Sequence, residues 1–231
     1  MSELVREFDF STVEEKAYNV GPAGIEIAYQ RLGDRDAPAL LLIMGGAAQY
    51  IHWPDPFCHA LLDHGLQLIR FDNRDAGHST HLTDAPAPDL RAALAGDFSS
   101  ASYTLSDMAA DAVGLLDALD FKNAHVVGAS MRGQIAQTMA IEHPDHVRSL
   151  TSMMSTTGNM QIGQPSPEVL QEVFSGPPAV TREEVIHQMV RAFRIIGSPG
   201  YPSDENEIAA RAGRAYDRSH DLTGEIGRAH V

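Results

Sequence analysis

The sequence predicts an α/β fold, in which a mostly parallel sheet is flanked by helices and followed by a helical cap. Two observations carry this prediction. Up to about residue 155, short apolar runs alternate with stretches of helical spacing, which is typical of a parallel sheet covered on both faces. After residue 155 helix start signals continue, but no strand pattern follows.

Five short runs predict the strands. The run at residues 39–44 is uniformly apolar, as a strand buried on both faces should be, and the run at 24–30 alternates like a half-exposed strand. The remaining strands are expected at residues 66–72, 124–127 and 147–154. The polar residues up to about position 16 indicate a loose arm.

Helices are expected between these strands and throughout the stretch behind them, because helical spacing and capping signals mark their positions. They begin near residues 55, 106, 134, 166, 181 and 203. We therefore predict a core at residues 1–155 and a helical cap or lid at 156–224. The alternative for the second part is a helical subdomain with no gating role.

Composition and charge limit the classes of function. Lys+Arg 17 against Asp+Glu 31 gives a formal net charge of −14, which argues against a nucleic-acid partner. No apolar stretch approaches the roughly 20 residues of a membrane span. The N-terminal residues lack the features of a secretory signal, so a cytoplasmic location is expected. Cys58 is the only cysteine and no histidine spacing suits a metal, so neither a disulfide nor a metal site is predicted.

The hexapeptide GASMRG at residues 128–133 joins an expected strand to an expected helix. A buried strand that turns sharply through a serine into a helix is the context of a nucleophile elbow. Ser130 is therefore the candidate nucleophile, with the amide of Met131 as one oxyanion donor. Gly46, just past an apolar strand, is the candidate second donor, because glycine lets the backbone approach a substrate carbonyl. A plain helix N-cap at Ser130 is the alternative.

Two arginines near the elbow need an explanation. Arg132 stands where the elbow pattern has glycine, so its side chain should swing toward the sheet edge or push the helix away from its neighbouring strand. Overpacking of this kind costs typically about 1–3 kcal/mol. A substrate-binding cation and a sequence error are the other interpretations of Arg132. Arg74 is expected to hold loops around the elbow by pairing with Asp72 or Asp75.

Five segments together resemble the α/β-hydrolase superfamily, and within it the ester-hydrolase branch that includes aclacinomycin methylesterase. They arrive in the family's order across residues 20–155. The segments are LIMGG at 42–46, WPDPF at 53–57, FDNRDAGHS at 71–79, VVGASM at 126–131 and EHPDHV at 142–147. Jointly they are specific for the fold and say little about the substrate.

This resemblance implies a serine hydrolase that acts on carboxylic esters of small molecules and needs no cofactor. Ser130 would attack the ester, the amides of Gly46 and Met131 would hold the oxyanion, and a histidine oriented by an acid would move the proton. In the family the acid and the histidine follow later strands, which have no counterpart up to Val231. We therefore expect a truncated chain that is feebly active or inactive and self-associates through an uncovered sheet edge.

The remaining candidate residues have weaker support. Trp53, Met160 and Phe193 are candidate pocket residues, with core packing as the alternative for each. Among the histidines, His78 is the best candidate to replace the missing base, because it lies in the loop on the active edge of the sheet. Residues 225–231 read like a translated sequencing adapter and are expected to be a non-native tail.

Two other functions compete with hydrolysis. A non-catalytic protein with the hydrolase shape could bind a small apolar ligand, which the arginine at 132 and the absent acid and base favour. A nucleotide-binding Rossmann domain is disfavoured because the first strand does not lead into G-x-G-x-x-G.

Overall fold

A six-stranded mixed sheet forms the centre of the protein in a computed structural model. The structure describes residues 13–46, 48–85, 97, 99–159, 162–163, 166–174, 179–220 and 229–230. The strands are β1 (Glu15–Val20), β2 (Ile25–Leu32), β3 (Ala39–Ile43), β4 (Gln67–Phe71), β5 (Tyr103–Thr104), β6 (Ala124–Ala129), β7 (Val147–Met153) and β8 (Ala229–His230). The order in the large sheet is β1-β2-β4-β3-β6-β7, and β5 pairs with β8 in a second, two-stranded sheet.

Most of the large sheet is parallel, as predicted. β3 pairs parallel with β4 and β6, and β6 pairs parallel with β7. The antiparallel strands β1 and β2 extend the sheet beyond β4. β1 replaces part of the expected loose arm: only Ala17 and Val20 of its residues are buried, so its polar side chains hid the strand pattern. The short strand β8 was likewise not predicted in the helical stretch and tail behind residue 155.

Within the described ranges six α-helices accompany the sheet, and they lie where helical spacing placed them. They are α1 (Asp55–Asp63), α2 (Leu105–Ala118), α3 (Met131–Glu142), α4 (Pro167–Phe174), α5 (Arg182–Ile196) and α6 (Glu205–Arg218). Within the described residues no helix combines the length and the apolar character that crossing a membrane takes.

Alternate residues of β3 fill two separate cores. Leu40 and Leu42 pack with α1 residues such as Cys58 on one face of the sheet. Leu41 and Ile43 pack with residues of α2 and α3 on the other face. Because side chains of a strand alternate in direction, a uniformly apolar strand needs helices on both faces, which is what β3 has.

The helices behind β7 begin at the capping residues that the sequence marks. The Thr181 side chain accepts a hydrogen bond from the Glu184 amide at the start of α5, and Asp204 caps α6 in the same way. α5 and α6 pack against each other, and α6 also contacts the short 3-10 helix Tyr50–His52 that follows β3. α6 therefore joins the helical segment to the loop at the carboxyl end of β3.

Candidate active site

Ser130 lies at the turn between β6 and α3, with φ 55° and ψ −134°. A non-glycine residue with positive φ is strained, and such strain clusters at functional sites. The side chain is exposed and makes no capping hydrogen bond to α3, so the N-cap interpretation does not describe its geometry. The Ser130 amide instead donates to the Met153 carbonyl at the end of β7, 2.9 Å away.

Two glycines allow α3 to lie close to the sheet at this turn. A Cβ atom at Gly128 would stand 2.3 Å from the carbonyl oxygen of Arg132. A Cβ atom at Gly133 would stand 2.5 Å from Cβ of Ser155. The close approach therefore depends on glycine at 128 and 133, and position 132 can carry a side chain.

The segment after β3 lies beside the elbow. A Cβ atom at Gly45 would be 3.2 Å from Cβ and 3.9 Å from Oγ of Ser130, and one at Gly46 would be 3.5 Å from Cε of Met131. The predicted oxyanion residues Gly46 and Met131 are thus brought together with Ser130. Because α3 begins at Met131, the amide of this residue has no partner within the helix and is available to an anion.

No base is hydrogen-bonded to the serine in the part of the chain that the structure describes: neither a histidine nor a carboxylate reaches Oγ of Ser130. The ring of His78 bridges Oε1 of Glu14 and the carbonyl of Arg218, at 2.7 and 2.8 Å. Within the same ranges no group of three or more His, Cys, Asp or Glu residues is placed to hold a metal ion.

The three candidate pocket residues have different positions. Trp53 is 3% exposed, stacks on Phe57 at 5.4 Å between ring centroids and belongs to the core on the α1 face of the sheet. Phe193 is half-buried on α5. Met160 lies outside the described residues. Trp53 therefore has the environment of a core residue, which was the alternative to a pocket position.

The Arg132 side chain is buried and reaches from α3 to α2. The residue is 4% exposed, and its guanidinium donates to Sδ of Met108 on α2 at 3.4 Å. Its Nε has no hydrogen-bond partner within the described residues. Burial lowers the pKa of Arg132 to about 10, against a partial opposing effect of Tyr103 and Asp75.

Arg74 has a different partner from the two that we expected. Its guanidinium makes two hydrogen bonds to the Asp111 carboxylate on α2, at 2.6 and 2.7 Å. It also lies over the Tyr103 ring, 5.0 Å from the centroid. Asp72 is instead paired with Arg218, at the end of α6, at 2.6 Å. Sequence proximity suggested the wrong partners because Arg74 and Asp72, both in the loop after β4, each pair with a helix that is distant in sequence.

A polar cluster around Asp72 was not predicted. It joins Glu14, Gln49, Tyr50 and Arg218 to the buried Asp72 carboxylate. The family-like loop at 71–79 marks Asp72, but no local pattern points to Arg218, which lies 146 residues further along the chain.

His52, in the 3-10 helix of this cluster, has a strongly altered acidity. Burial, aided by the positive charges of Arg211, Arg214 and Arg218, lowers its pKa to about 4 against the opposing effect of a hydrogen bond to the Gln49 backbone. Its Nδ1 lies 3.2 Å from the amide of Gln49. Its Nε2 is buried with no hydrogen-bond partner among the described residues.

A family model described as the alpha/beta hydrolase fold matches residues 38–191, two thirds of the chain. The chain belongs to this family. The matched region contains both the elbow and the segment after β3 that lies beside it.

Named relatives of this alpha/beta hydrolase include esterases. It is 32% identical over 199 residues to "Rhodomycin D methylesterase DnrP" of Streptomyces peucetius, an alignment that covers 78% of this chain and 62% of that protein. It is 31% identical over 122 residues to "Putative carbamate hydrolase RutD" of Variovorax paradoxus, covering 53% and 40%. The chain therefore spans less than two thirds of the length of these relatives.

Solved structures share the fold at lower identity. An enol-lactonase from Burkholderia xenovorans LB400 matches with a TM-score of 0.60 and 21% identity, covering 91% of this chain and 70% of the other. A putative epoxide hydrolase from Klebsiella pneumoniae matches with a TM-score of 0.62 and 22% identity, covering 94% and 68%. At this identity the match supports the fold alone.

We predict that Arg132→Met stabilises the protein. Replacing a buried, poorly partnered charge by an apolar side chain of similar length raises the free energy of unfolding by about 1–4 kcal/mol. Since the pKa of Arg132 in the fold is about 10, the penalty is fully present at pH 7. Urea unfolding at pH 7 measures the change.

Arg74→Met is the matched control, because Arg74 is equally buried but fully paired with Asp111. Its removal leaves a buried carboxylate without its partner, so this variant should lose about 3–5 kcal/mol. Equal destabilisation by both variants would contradict the unpaired state of Arg132.

His52 should make the protein sensitive to acid. The unfolded chain takes up this proton near pH 6.5 and the folded chain only near pH 4, so the unfolded state binds more protons between these values. Stability therefore falls by about 3 kcal/mol as the pH falls through this range, at about 1.4 kcal/mol per unit. His52→Asn should flatten that part of the pH dependence in urea unfolding. His64→Asn, at an exposed position after α1, should leave it unchanged.

Proposed function

We propose that this chain is part of a serine hydrolase that cleaves carboxylic esters of small molecules. The observation that carries the proposal is the strained Ser130 at the end of β6, with the glycine segment after β3 placed against it. Similarity to a named methylesterase supports esters as the substrate class. The family alone does not select a substrate, because one fold serves many reactions.

The proposed reaction is acyl transfer through Ser130. Its Oγ bonds to the ester carbonyl carbon while its proton passes to a base, and the carbonyl oxygen becomes an oxyanion that the amides of Gly46 and Met131 stabilise. Collapse of this intermediate expels the alcohol, which takes up the proton. Water then attacks the acyl-enzyme and releases the acid by the same steps.

The base is proposed to lie outside the described residues, as is the acid that orients it. In a serine protease of known triad, removal of the histidine alone lowers turnover by about 10⁶-fold. The 231 residues by themselves should therefore hydrolyse esters feebly or not at all. We place the protein in the cytoplasm as part of this proposal.

External imidazole offers a direct test, because it replaces a missing histidine as base. We expect a fluorophosphonate to add one mass adduct at Ser130, at a rate that rises with the concentration of neutral imidazole. Ser130→Ala should abolish the adduct, and intact-protein mass spectrometry measures it.

The matched control is Ser149→Ala. Ser149 is exposed on β7 and already hydrogen-bonded to His125 at 2.7 Å, but it does not lie at the elbow. Its replacement should leave labelling unchanged. If no imidazole-dependent adduct forms on Ser130, the second candidate function takes precedence, namely a non-catalytic protein that binds a small apolar ligand. Among the described residues no base is hydrogen-bonded to Ser130, which favours that candidate.

We also propose that this chain self-associates through β7. Five of the seven β7 residues are exposed, and its outer edge pairs with no strand among those described. Antiparallel pairing of two copies about Leu150 sets Arg148 opposite Ser152, so no like charges meet. An edge with a single charged residue is poorly protected against such pairing.

Leu150→Lys should therefore shift the chain toward monomer, because the paired copies would bring two lysines together at the centre of the strand. Sedimentation velocity measures the shift. Ile141→Lys adds the same charge at an exposed residue of α3 and should not change the oligomeric state. A wild-type chain that sediments as a monomer would refute the pairing.

A further inference from the structure

We propose that Arg218, the last residue of α6, is a positioning residue for the segment that carries Gly46. The inference rests on the proposed function, in which Gly46 donates to the oxyanion. It adds that this donor is in place only while α6 is docked on the core. Contacts of Arg218 with Asp72, Gln49 and Tyr50 carry the argument.

The Asp72 carboxylate is the centre of these contacts. It is fully buried, at 0% exposure. Oδ1 accepts from the Tyr50 amide at 2.9 Å, while Oδ2 accepts from the His78 amide at 3.0 Å and from Nη2 of Arg218 at 2.6 Å. One carboxylate thus joins the loop after β3, the loop after β4 and the end of α6.

Arg218 contacts the loop after β3 at two further points. Its Nη1 donates to Oε1 of Gln49 at 2.6 Å, and its guanidinium lies 4.5 Å from the centroid of the Tyr50 ring. Glu14, which precedes β1, pairs with the other side of the same guanidinium and accepts from the Tyr50 hydroxyl at 3.1 Å. These bonds hold the guanidinium in one orientation, with one edge toward the loop.

The Gln49 side chain also binds the backbone at the end of α6. Its Nε2 donates to the carbonyls of Ala215 and Ser219, both at 2.7 Å. The Ala215 carbonyl also accepts from the Ser219 amide at 3.0 Å, so the Gln49 side chain adds two hydrogen bonds at the C-terminal end of α6. Both ends of the Gln49 amide are therefore bound by α6, and the residue is 1% exposed.

Gly46 is only three residues before Gln49. The Ala48 amide donates to the Gly45 carbonyl at 3.3 Å, so the residues that precede Gly46 and Gln49 are joined by a hydrogen bond. With Gln49 and Tyr50 held in place, this short connection restrains the Gly46 amide. A misplacement of about 1 Å in a catalytic group can lower a rate by about 10²-fold, so this restraint has a chemical consequence.

Release of α6 would leave a buried charge without its partner. Burial already raises the pKa of Asp72 against the opposing effect of Arg218. Undocking would remove that cation and the Gln49 contacts together, so the loop and the helix should loosen as one unit. Docking of α6 and placement of Gly46 are therefore coupled.

Other ion pairs of the helical segment do not have this role. Arg182 makes two hydrogen bonds to Asp217, at 2.8 and 2.9 Å, and both side chains are about half exposed. That pair joins α5 to α6 and does not contact the loop after β3. Arg182 therefore supplies a matched control, an arginine on the same helical segment with a two-point carboxylate contact.

The test compares Arg218→Met, Arg218→Lys and Arg182→Met in the full chain. We measure imidazole-assisted fluorophosphonate labelling of Ser130 and hydrogen exchange of residues 46–50, both well below the melting temperature. Arg218→Met should slow labelling by up to about 100-fold, because a catalytic group misplaced by about 1 Å can cost that much. It should also speed exchange of the Tyr50 amide, which bonds to Asp72. Both readouts for Arg218→Lys should lie between those of the wild-type chain and Arg218→Met, because lysine retains the positive charge but lacks the planar guanidinium of arginine.

Gln49→Met is the second variant in case Arg218→Met does not fold. It removes the contacts to Ala215 and Ser219 and leaves the Arg218–Asp72 pair in place, and it should slow labelling in the same way. Arg182→Met should change neither readout.

The two proposals fail in different ways. If the wild-type chain is labelled and the Arg218 and Gln49 variants label at the same rate, the positioning role is refuted while the proposed function stands. If the wild-type chain is not labelled, the proposed function fails. If, in addition, the Tyr50 amide exchanges hydrogen at the same rate in Arg218→Met as in the wild-type chain, the coupling of α6 to the loop is refuted as well.

Discussion

The near contact between α3 and β6 is the constraint on which the candidate site depends. Gly128 and Gly133 leave room for the helix backbone and for Ser155 at distances that no Cβ atom would permit. With the helix this close, the chain has only Ser130 in which to reverse direction, and this residue adopts a left-handed φ of 55°. The same turn exposes the Ser130 side chain at the start of α3.

In the described part of the chain, the charges buried around the elbow are of two kinds, those paired with an opposite charge and one that is not. The Arg74–Asp111 and Arg218–Asp72 pairs each join elements that are distant in sequence, and hydrogen bonds at about 2.6 Å offset the loss of water around them. Arg132, two residues after the candidate nucleophile, is buried with its guanidinium donating to Sδ of Met108, and its Nε has no hydrogen-bond partner among the described residues. The paired charges here connect loops and helices, while burial of Arg132 lowers its pKa.

Much of the fold was predictable from local pattern. The apolar run that became β3, the capping box at Thr181 and the helix start near Ser203 needed only periodicity and hydrogen-bonding rules. β1 was missed because only Ala17 and Val20 of it are buried, so its exposed face resembles a loop. The partners of Arg74 and Asp72 were missed because pairing depends on how helices pack, and sequence proximity favoured Asp75.

The sequence by itself determined the alternation of strands and helices, the elbow at Ser130 and the family-like segments around it, since these depend on neighbouring residues. Only the tertiary structure decided which distant groups meet. It set the Gly45–Gly46 segment against Ser130, brought the buried Arg132 side chain to α2 and brought Arg218 from α6 to Asp72. The physical reason is that a buried charge or a close backbone approach is stable only where packing supplies its partner, and packing joins residues that local pattern cannot connect.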